Sequence, residues 1–385
     1  MNPAFPRIRI AVALAFLANG LVIGAWAPQI PALMERLEVT ESRLGLLILV
    51  FGLGALVAMP WCGGLIARHG SQRPLAGFAV LLPFALPAVV LAPGFASAGL
   101  AMFCFGAITG GMDVAMNANA VAVERRLDRA IMSSSHGFWS LGGFAGAAAG
   151  GALLQAHGAL AQAVVVAAIS AAVVAAMLAW SLHDRPAAHA EKPATRWPLT
   201  PLPYLLGLAA LFGMIPEGAV LDWAALYLHR ELGSSVATAS LAFAGFSGAM
   251  ALMRFSGDAI RNRFGAVTTM RVSCLIAGLG LVGAGLSPAA SLSIAFFALA
   301  GLGIANVVPI AFSAAGNQPG LSPGVGMSVA TTMGYSGILV APSAIGFIGE
   351  RTGFAPIFVA LALVLFTLAA LARFVATADR QKVIA

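Results

Sequence analysis

The sequence predicts an all-α integral membrane protein of twelve transmembrane helices, arranged as two pseudo-symmetric six-helix bundles. Three observations carry this. Of 385 residues, 60% are hydrophobic and 9% charged, whereas a soluble globular chain holds about 25% charged residues. Apolar stretches recur along the whole chain, each near the roughly 20 residues that cross a bilayer. The second half then repeats local patterns of the first in the same order.

The first span reads at 8–33. Arg7 and Arg9 precede it like the basic flank of a signal peptide, but the apolar run continues through Trp26 to Pro31, too long for a cleaved h-region. It is taken as an uncleaved span. Spans at 43–66, 74–93, 96–123, 131–155 and 160–182 complete a first bundle, 1–182. The stretch HDRPAAHAEKPATRWPLT, 183–200, mixes charge with three prolines and reads as a linker. Spans at 202–228, 235–258, 267–287, 290–315, 324–349 and 355–376 form the second bundle, within 201–385. Pro83 and Pro87 in the third span and Pro309 in the tenth imply kinks, which neighbouring helices can satisfy.

Charge sets the orientation. With the N-terminus inside, sixteen of the 21 Lys and Arg fall on the cytoplasmic side. Arg36, Arg43, Arg230 and Arg351 fall outside, and Arg254 lies near the inner end of the eighth span. An even number of spans then puts both termini in the cytoplasm. The net charge of +7 therefore reflects topology rather than nucleic-acid binding. Cys62, Cys104 and Cys274 sit in apolar runs without a CxxC and read as buried free thiols. No His/Cys/carboxylate cluster has metal-ligand spacing, and no cofactor is expected. Gly278, Gly280 and Gly283 spell GxGxxG inside an apolar span, without the preceding strand that a dinucleotide site requires.

The polar residues at membrane depth are the functional candidates. The fourth span carries GAITGGMDVAMNANAVAVE from Gly106 to Glu124, and Asp113, Asn117, Ala120 and Glu124 share one helical stripe. Asn119 points about 120° away from Asp113, towards a neighbouring helix. An acid at mid-membrane costs roughly 2.5–3.5 kcal/mol on insertion scales, and a carboxyl that cycles between protonated and ionised forms suits proton coupling. Glu217 lies at similar depth in the seventh span. Asp222 is about 140° round that helix and ~7.5 Å nearer the outside, so it reads as an outer gate or structural acid beside Trp223. His136, Asn19 and Asn306 are further polar candidates for the cavity. Trp26, Trp139 and Tyr335 could stack on a solute or simply pack.

The halves repeat at matched places. NGLVIGAW from Asn19 answers to EGAVLDW from Glu217, GGLIARHGSQR from Gly63 to DAIRNRFG from Asp258, and SSHGFWS from Ser134 to TTMGYSG from Thr331. Parallel six-span halves are a transporter architecture with its site at their interface.

At this point the chain resembles the major facilitator superfamily over essentially its whole length. The loop after the second span approximates that family's G-x-L-x-D-R-x-G-R-R through Gly63, Leu65, Arg68 and Gly70, with Ala67 where the family has its Asp. The second copy keeps Arg263 and Gly265, while Asp258 replaces the first Gly. The resemblance implies a cytoplasmic gate of Gly63, Arg68, Gly70, Arg254, Asp258 and Arg263, with Arg254 and Asp258 spaced for an i,i+4 ion pair. The fourth span, DVAMN from Asp113 to Asn117, and His136, Phe138, Leu141 and Gly142 of the fifth are similar to the fucose-permease branch. That branch implies proton coupling at Asp113 and solute contact at Asn117 and His136, although Trp139 stands where it has an amide. EG…DW of the seventh span resembles uncharacterised bacterial facilitators nearby. A rival resemblance, to drug–proton antiporters, runs through Gly142, Gly146, Gly150 and Gly151, with Ala147 in place of the Pro.

The resulting expectation is a proton-coupled secondary transporter, not an enzyme, in a bacterial cytoplasmic membrane. It is a monomer whose partners are a small polar or amphipathic solute, sugar-like in one reading, protons and the lipid bilayer. Proton coupling falls to Asp113, Glu217 and Asp222, and solute binding to Asn19, Trp26, Asn117, His136, Trp139, Asn306 and Tyr335. Symport is favoured over antiport, and a non-transporting sensor on the same fold is the remote alternative.

Overall fold

The computed structural model describes residues 4–127, 131–182, 199–318 and 323–383. Every regular element among them is helical. The first half comprises α1 (Ala4–Trp26), α2 (Gln29–Leu37), α3 (Glu41–His69), α4 (Gln72–Leu91), α5 (Phe95–Leu127) and α6 (Met132–Trp180). The second comprises α7 (Leu202–Arg230), α8 (Val236–Phe264), α9 (Ala266–Leu286), α10 (Ala290–Ile304), α11 (Val307–Gly316), α12 (Pro323–Thr352) and α13 (Ala355–Ala370), followed by a 3-10 helix (Ala372–Val383).

Twelve passes result from these elements. The long α6 turns at Gly158 (φ 83°, ψ 171°) into legs 132–157 and 159–180, the fifth and sixth spans. The tenth span is α10 plus α11, interrupted at Ala305 and Asn306. Pro309 has no N–H to bond the Ala305 carbonyl four residues back, which is where the helix opens. We call the side carrying the start of α1 the near face and the other the far face.

Two expectations need correction. The first span is not one helix to residue 33. Pro28 and Pro31 cannot donate to the carbonyls of Gly24 and Ala27, so α1 stops at Trp26 and α2 starts separately along the far face. The twelfth span is not one straight helix: its α-helix ends at Ala370, and the 3-10 helix bends from it by 56°. That segment straps the near face of the second half. Asp379 Oδ2 accepts from Ala266 N at 2.6 Å, and Arg261 Nη2 donates to the Ala378 carbonyl at 2.6 Å. Most of the expected linker, 183–198, lies outside the described residues.

Water is not the solvent that drives these helices together, so close packing and hydrogen bonds do. Large apolar residues such as Phe84, Leu100 and Leu252 face outward as a lipid surface, while Phe16, Trp223 and Tyr227 are fully buried. Cys104 also faces outward, against the expectation of burial, while Cys62 and Cys274 are buried. The repeat seen in the sequence is physical. Gly70 and Gly265 both end a helix at positive φ, 79° and 78°. A side chain would be strained there. They are the turns after the second and eighth spans.

The halves meet along α3 against α12 and along α6 against α8. Bridges between them gather at the far face. Arg230 pairs with Glu41, and His229 Nε2 lies 3.3 Å from Glu35 Oε1. Ser42 N donates to Glu350 Oε2 at 3.0 Å, Ser343 Oγ to the Gly45 carbonyl at 2.9 Å, and Ala237 N to Gln155 Oε1 at 3.0 Å. The Glu350 carboxyl, at this exposed edge, is held below the usual glutamate range by the Ser42 hydroxyl and then the Ser42 N–H.

Candidate functional site: a polar cavity between the halves

A cavity of about 850 Å³ lies between the two bundles. It runs from Trp26, Asp222, Trp223 and Ile345 beneath the far-face bridges to Glu124, Ile131, Met132 and Arg261 at the near face. Asn19, Trp26, Asp113, His136, Trp139, Glu217, Asp222, Arg254 and Asn306 all line it.

In the first half, Asn19 is buried and spends both ends of its amide. Its Nδ2 donates to the Thr109 carbonyl at 3.2 Å, and its Oδ1 accepts from Trp139 Nε1 at 2.9 Å. It thus ties α1 to α5 and α6 and orients Trp139. His136 packs edge-on to Phe16 with ring centroids 5.1 Å apart. Asp113 reaches the cavity half-buried. Asn117 does not line it: its amide turns back one helical turn to the Asp113 carbonyl at 2.8 Å and to Asp113 Oδ1 at 3.2 Å. An i,i+4 partner was within reach, so this amide holds the acid rather than the cavity. Glu124 Oε1 accepts from Ile131 N at 2.7 Å and from Met132 N at 2.9 Å. It thereby caps free N–H groups at the start of α6. Asn119 donates across to Ser71 Oγ at 3.0 Å, an interhelical bond.

In the second half, Glu217 and Asp222 both face the cavity. Although about 140° apart on α7, both reach it because the cavity extends for more than a turn of that helix and closes over Asp222 beside Trp26, the outer position expected for Asp222. Trp26 from the first half and Asp222 from the second thus meet at the roof. Asn306 sits at the break of the tenth span, and Gly257 opposite leaves room for it: a Cβ there would lie 2.5 Å from Asn306 Oδ1.

The residue least legible beforehand is Arg254, expected at the inner gate. Its side chain is only 13% exposed and lines the cavity, with Nη1 donating to Ser140 Oγ at 2.7 Å and Nη2 3.5 Å from Glu217 Oε2. The signal was a count. Arg254 precedes Phe264, the end of α8, by ten residues. At the helical rise this is about 15 Å, well inside the span. Ser140, which joins the site from α6, carried no signal of its own.

Of the remaining gate candidates, four are described and do not line this cavity. Gly63, Arg68 and Arg263 are exposed, and Gly70 serves as a helix cap. The side chains of Asp258 and Tyr335 lie outside those described. No group of three or more His, Cys, Asp or Glu is placed to hold a metal ion among the described residues. The glycines of the GxGxxG and antiporter-like motifs are contact surfaces. Gly142 and Gly146 meet carbonyls of Leu17 and Leu21 on α1, and Gly280 meets Ala300.

Comparison with known proteins agrees with this architecture. The sequence profile of the Major Facilitator Superfamily matches residues 12–320. An uncharacterized MFS-type transporter of Yersinia pestis is 35% identical over 369 residues, covering 95% of each chain. Membrane protein MosC of Rhizobium meliloti is 33% identical over 352 residues, 91% of this chain and 86% of that one. The crystal structure of a D-xylose-proton symporter superposes with a TM-score of 0.72 at 13% identity, covering 97% of this chain and 98% of the other, a likeness of fold alone. A twelve-helix fold with a polar cavity between repeated halves defines a secondary-transport architecture. The chain belongs to the Major Facilitator Superfamily, a family of multi-pass membrane transporters and not of enzymes.

Proposed function

We propose that this protein is a proton-coupled secondary transporter that takes up a small polar solute by symport and alternating access. One observation carries the reading: three carboxyls, Asp113, Glu217 and Asp222, face a single cavity that is bridged shut at the far face and extends to the near face. Carboxyls at that depth are costly unless they work, and a cavity with one end closed is half of an alternating-access cycle. Asp113 in the first half and Glu217 in the second are the coupling acids, and Asp222 with Trp26 closes the outer end. Asn19, Trp26, His136, Trp139 and Asn306 shape the solute site.

The near face is the cytoplasmic one, because the Lys/Arg bias places it there. The structure described is then inward-facing, with both termini on the cytoplasmic side of a bacterial inner membrane and the chain working as a monomer. The glycines that suggested drug–proton antiport pack against α1 and α8, a role that needs no antiport.

The test is transport in proteoliposomes. A panel of radiolabelled solutes is screened by counterflow, and each hit is then offered with an inward-directed proton gradient. Accumulation above the external concentration that collapses with the gradient supports symport. A solute that only equilibrates, whatever the gradient, refutes coupling.

A further inference from the structure

We infer that the solute carries a carboxylate, that Arg254 binds it, and that it competes there with Glu217. The inference rests on the reading of this cavity as a solute site and adds the chemical class of the solute.

Two arginines line the cavity among the described residues. Arg261, at the near end, is committed to Ser313 Oγ at 2.9 Å and the Ala378 carbonyl at 2.6 Å, with Asp379 3.8 Å away. Arg254 lies deeper. A guanidinium at that depth is expensive, and its planar fork matches a carboxylate through two parallel bonds. The bond that Glu217 makes to it is not of that kind: a single approach at 3.5 Å, against about 2.7–2.9 Å for a well-formed charge-assisted bond. Glu217 itself is 23% exposed, so a solute in the cavity can reach the pair.

Charge balance links the solute to the proton. With Glu217 ionised, the Arg254–Glu217 pair is neutral. A solute carboxylate entering alone would leave one buried negative charge without a counterion, which is strongly unfavourable. If one proton from the aqueous phase adds to Glu217, the Arg254–Glu217 contact breaks, the Arg254–solute contact forms, and the net charge of the site is unchanged. One carboxylate and one proton then move together without net charge. Asp113 and Asp222, elsewhere on the wall, repel a second anionic group and accept hydrogen bonds from hydroxyls. The solute class is a hydroxylated monocarboxylate of the sugar-acid kind.

The purified full-length protein, reconstituted in liposomes, is assayed by counterflow with lactate, glycerate, gluconate and glucuronate. The neutral partners glycerol, sorbitol and glucose and the cationic glucosamine are run beside them. At least one carboxylate should exchange with an apparent affinity tenfold or more above its neutral partner, and a potassium diffusion potential should leave its proton-driven uptake unchanged. Arg254→Lys loses the fork and should weaken that carboxylate at least tenfold. Arg254→Gln alone strands Glu217, so Arg254→Gln/Glu217→Gln, which removes both charges, is the folded check and should lose carboxylate preference altogether. Exchange of glucose, sorbitol or glucosamine as good as that of the acids, retained in the double variant, overturns the inference and leaves the transport reading standing. Exchange of no carboxylate by folded protein also overturns it, and exchange of no solute of any charge overturns both.

Discussion

Gly346→Val should hold the protein open at its far face. Gly346 lies on α12, where a Cβ would sit 2.6 Å from the Glu41 carbonyl oxygen and 2.8 Å from Trp223 Cη2. Ordinary contact begins near 3.4 Å, so the site is about 0.8 Å too small even for alanine. Trp223 is fully buried and stacked on Phe354 with centroids 5.2 Å apart, which leaves α3 as the element that must recede. Moving it by that amount stretches the Ser42–Glu350 bond from 3.0 Å and the Ser343–Gly45 bond from 2.9 Å to roughly 3.7–3.8 Å, beyond hydrogen-bond reach. Each bond contributes about 0.5–1.5 kcal/mol net. The far-face-closed state should thus lose about 1–3 kcal/mol, a shift of roughly 5- to 150-fold in the equilibrium. The assay uses a background with Cys62, Cys104 and Cys274 replaced, and a single cysteine at Ile48, which lines the cavity beneath the bridges. An impermeant maleimide added outside intact cells should label Ile48→Cys at least fivefold faster with Gly346→Ala and faster still with Gly346→Val. Unchanged labelling at normal membrane abundance would refute the reasoning, since it would mean that the α3–α12 contact does not govern closure.

Three further outcomes follow from the same geometry. Asp113→Asn keeps the contact with Asn117 but cannot ionise; with Glu217 left to carry the coupled proton, accumulation under a proton gradient of one pH unit should fall below the wild-type level of at most about tenfold, while counterflow persists. Wild-type accumulation in that variant would make Asp113 structural. Glu124→Ala removes the acceptor for Ile131 N and Met132 N and should cost about 1–2 kcal/mol, as for a lost helix cap, read as a lowered melting temperature in detergent with little change in apparent solute affinity. A cysteine introduced at Ala188 should react with impermeant maleimide only in inverted vesicles, because the basic residues place 183–200 inside; labelling in intact cells would reverse the topology.

How much of this could be read from the chain alone differs between fold and site. Hydropathy needs only consecutive residues, and a lipid solvent forces every apolar span of sufficient length into a helix. The twelve passes, the repeated halves and the paired turns at Gly70 and Gly265 were therefore open to inspection of the sequence. So was the presence of acids at membrane depth, since Asp113 and Glu217 sit far from any span end. Even the break at Ala305 is written in Pro309, four residues on. What side chains meet is another matter. Asn117 shares a stripe with Asp113, and periodicity places both towards one partner, yet the amide prefers the carboxyl one turn away. Asp222 belongs to the cavity because the cavity closes over it against Trp26, a residue of the other half. Arg254 meets Glu217 and Ser140 because α8 is rotated and seated against α6, where Ser247 Oγ bonds the Ser140 carbonyl at 2.8 Å. That rotation depends on packing between two helices far apart in sequence, and a pattern confined to one helix contains no record of it.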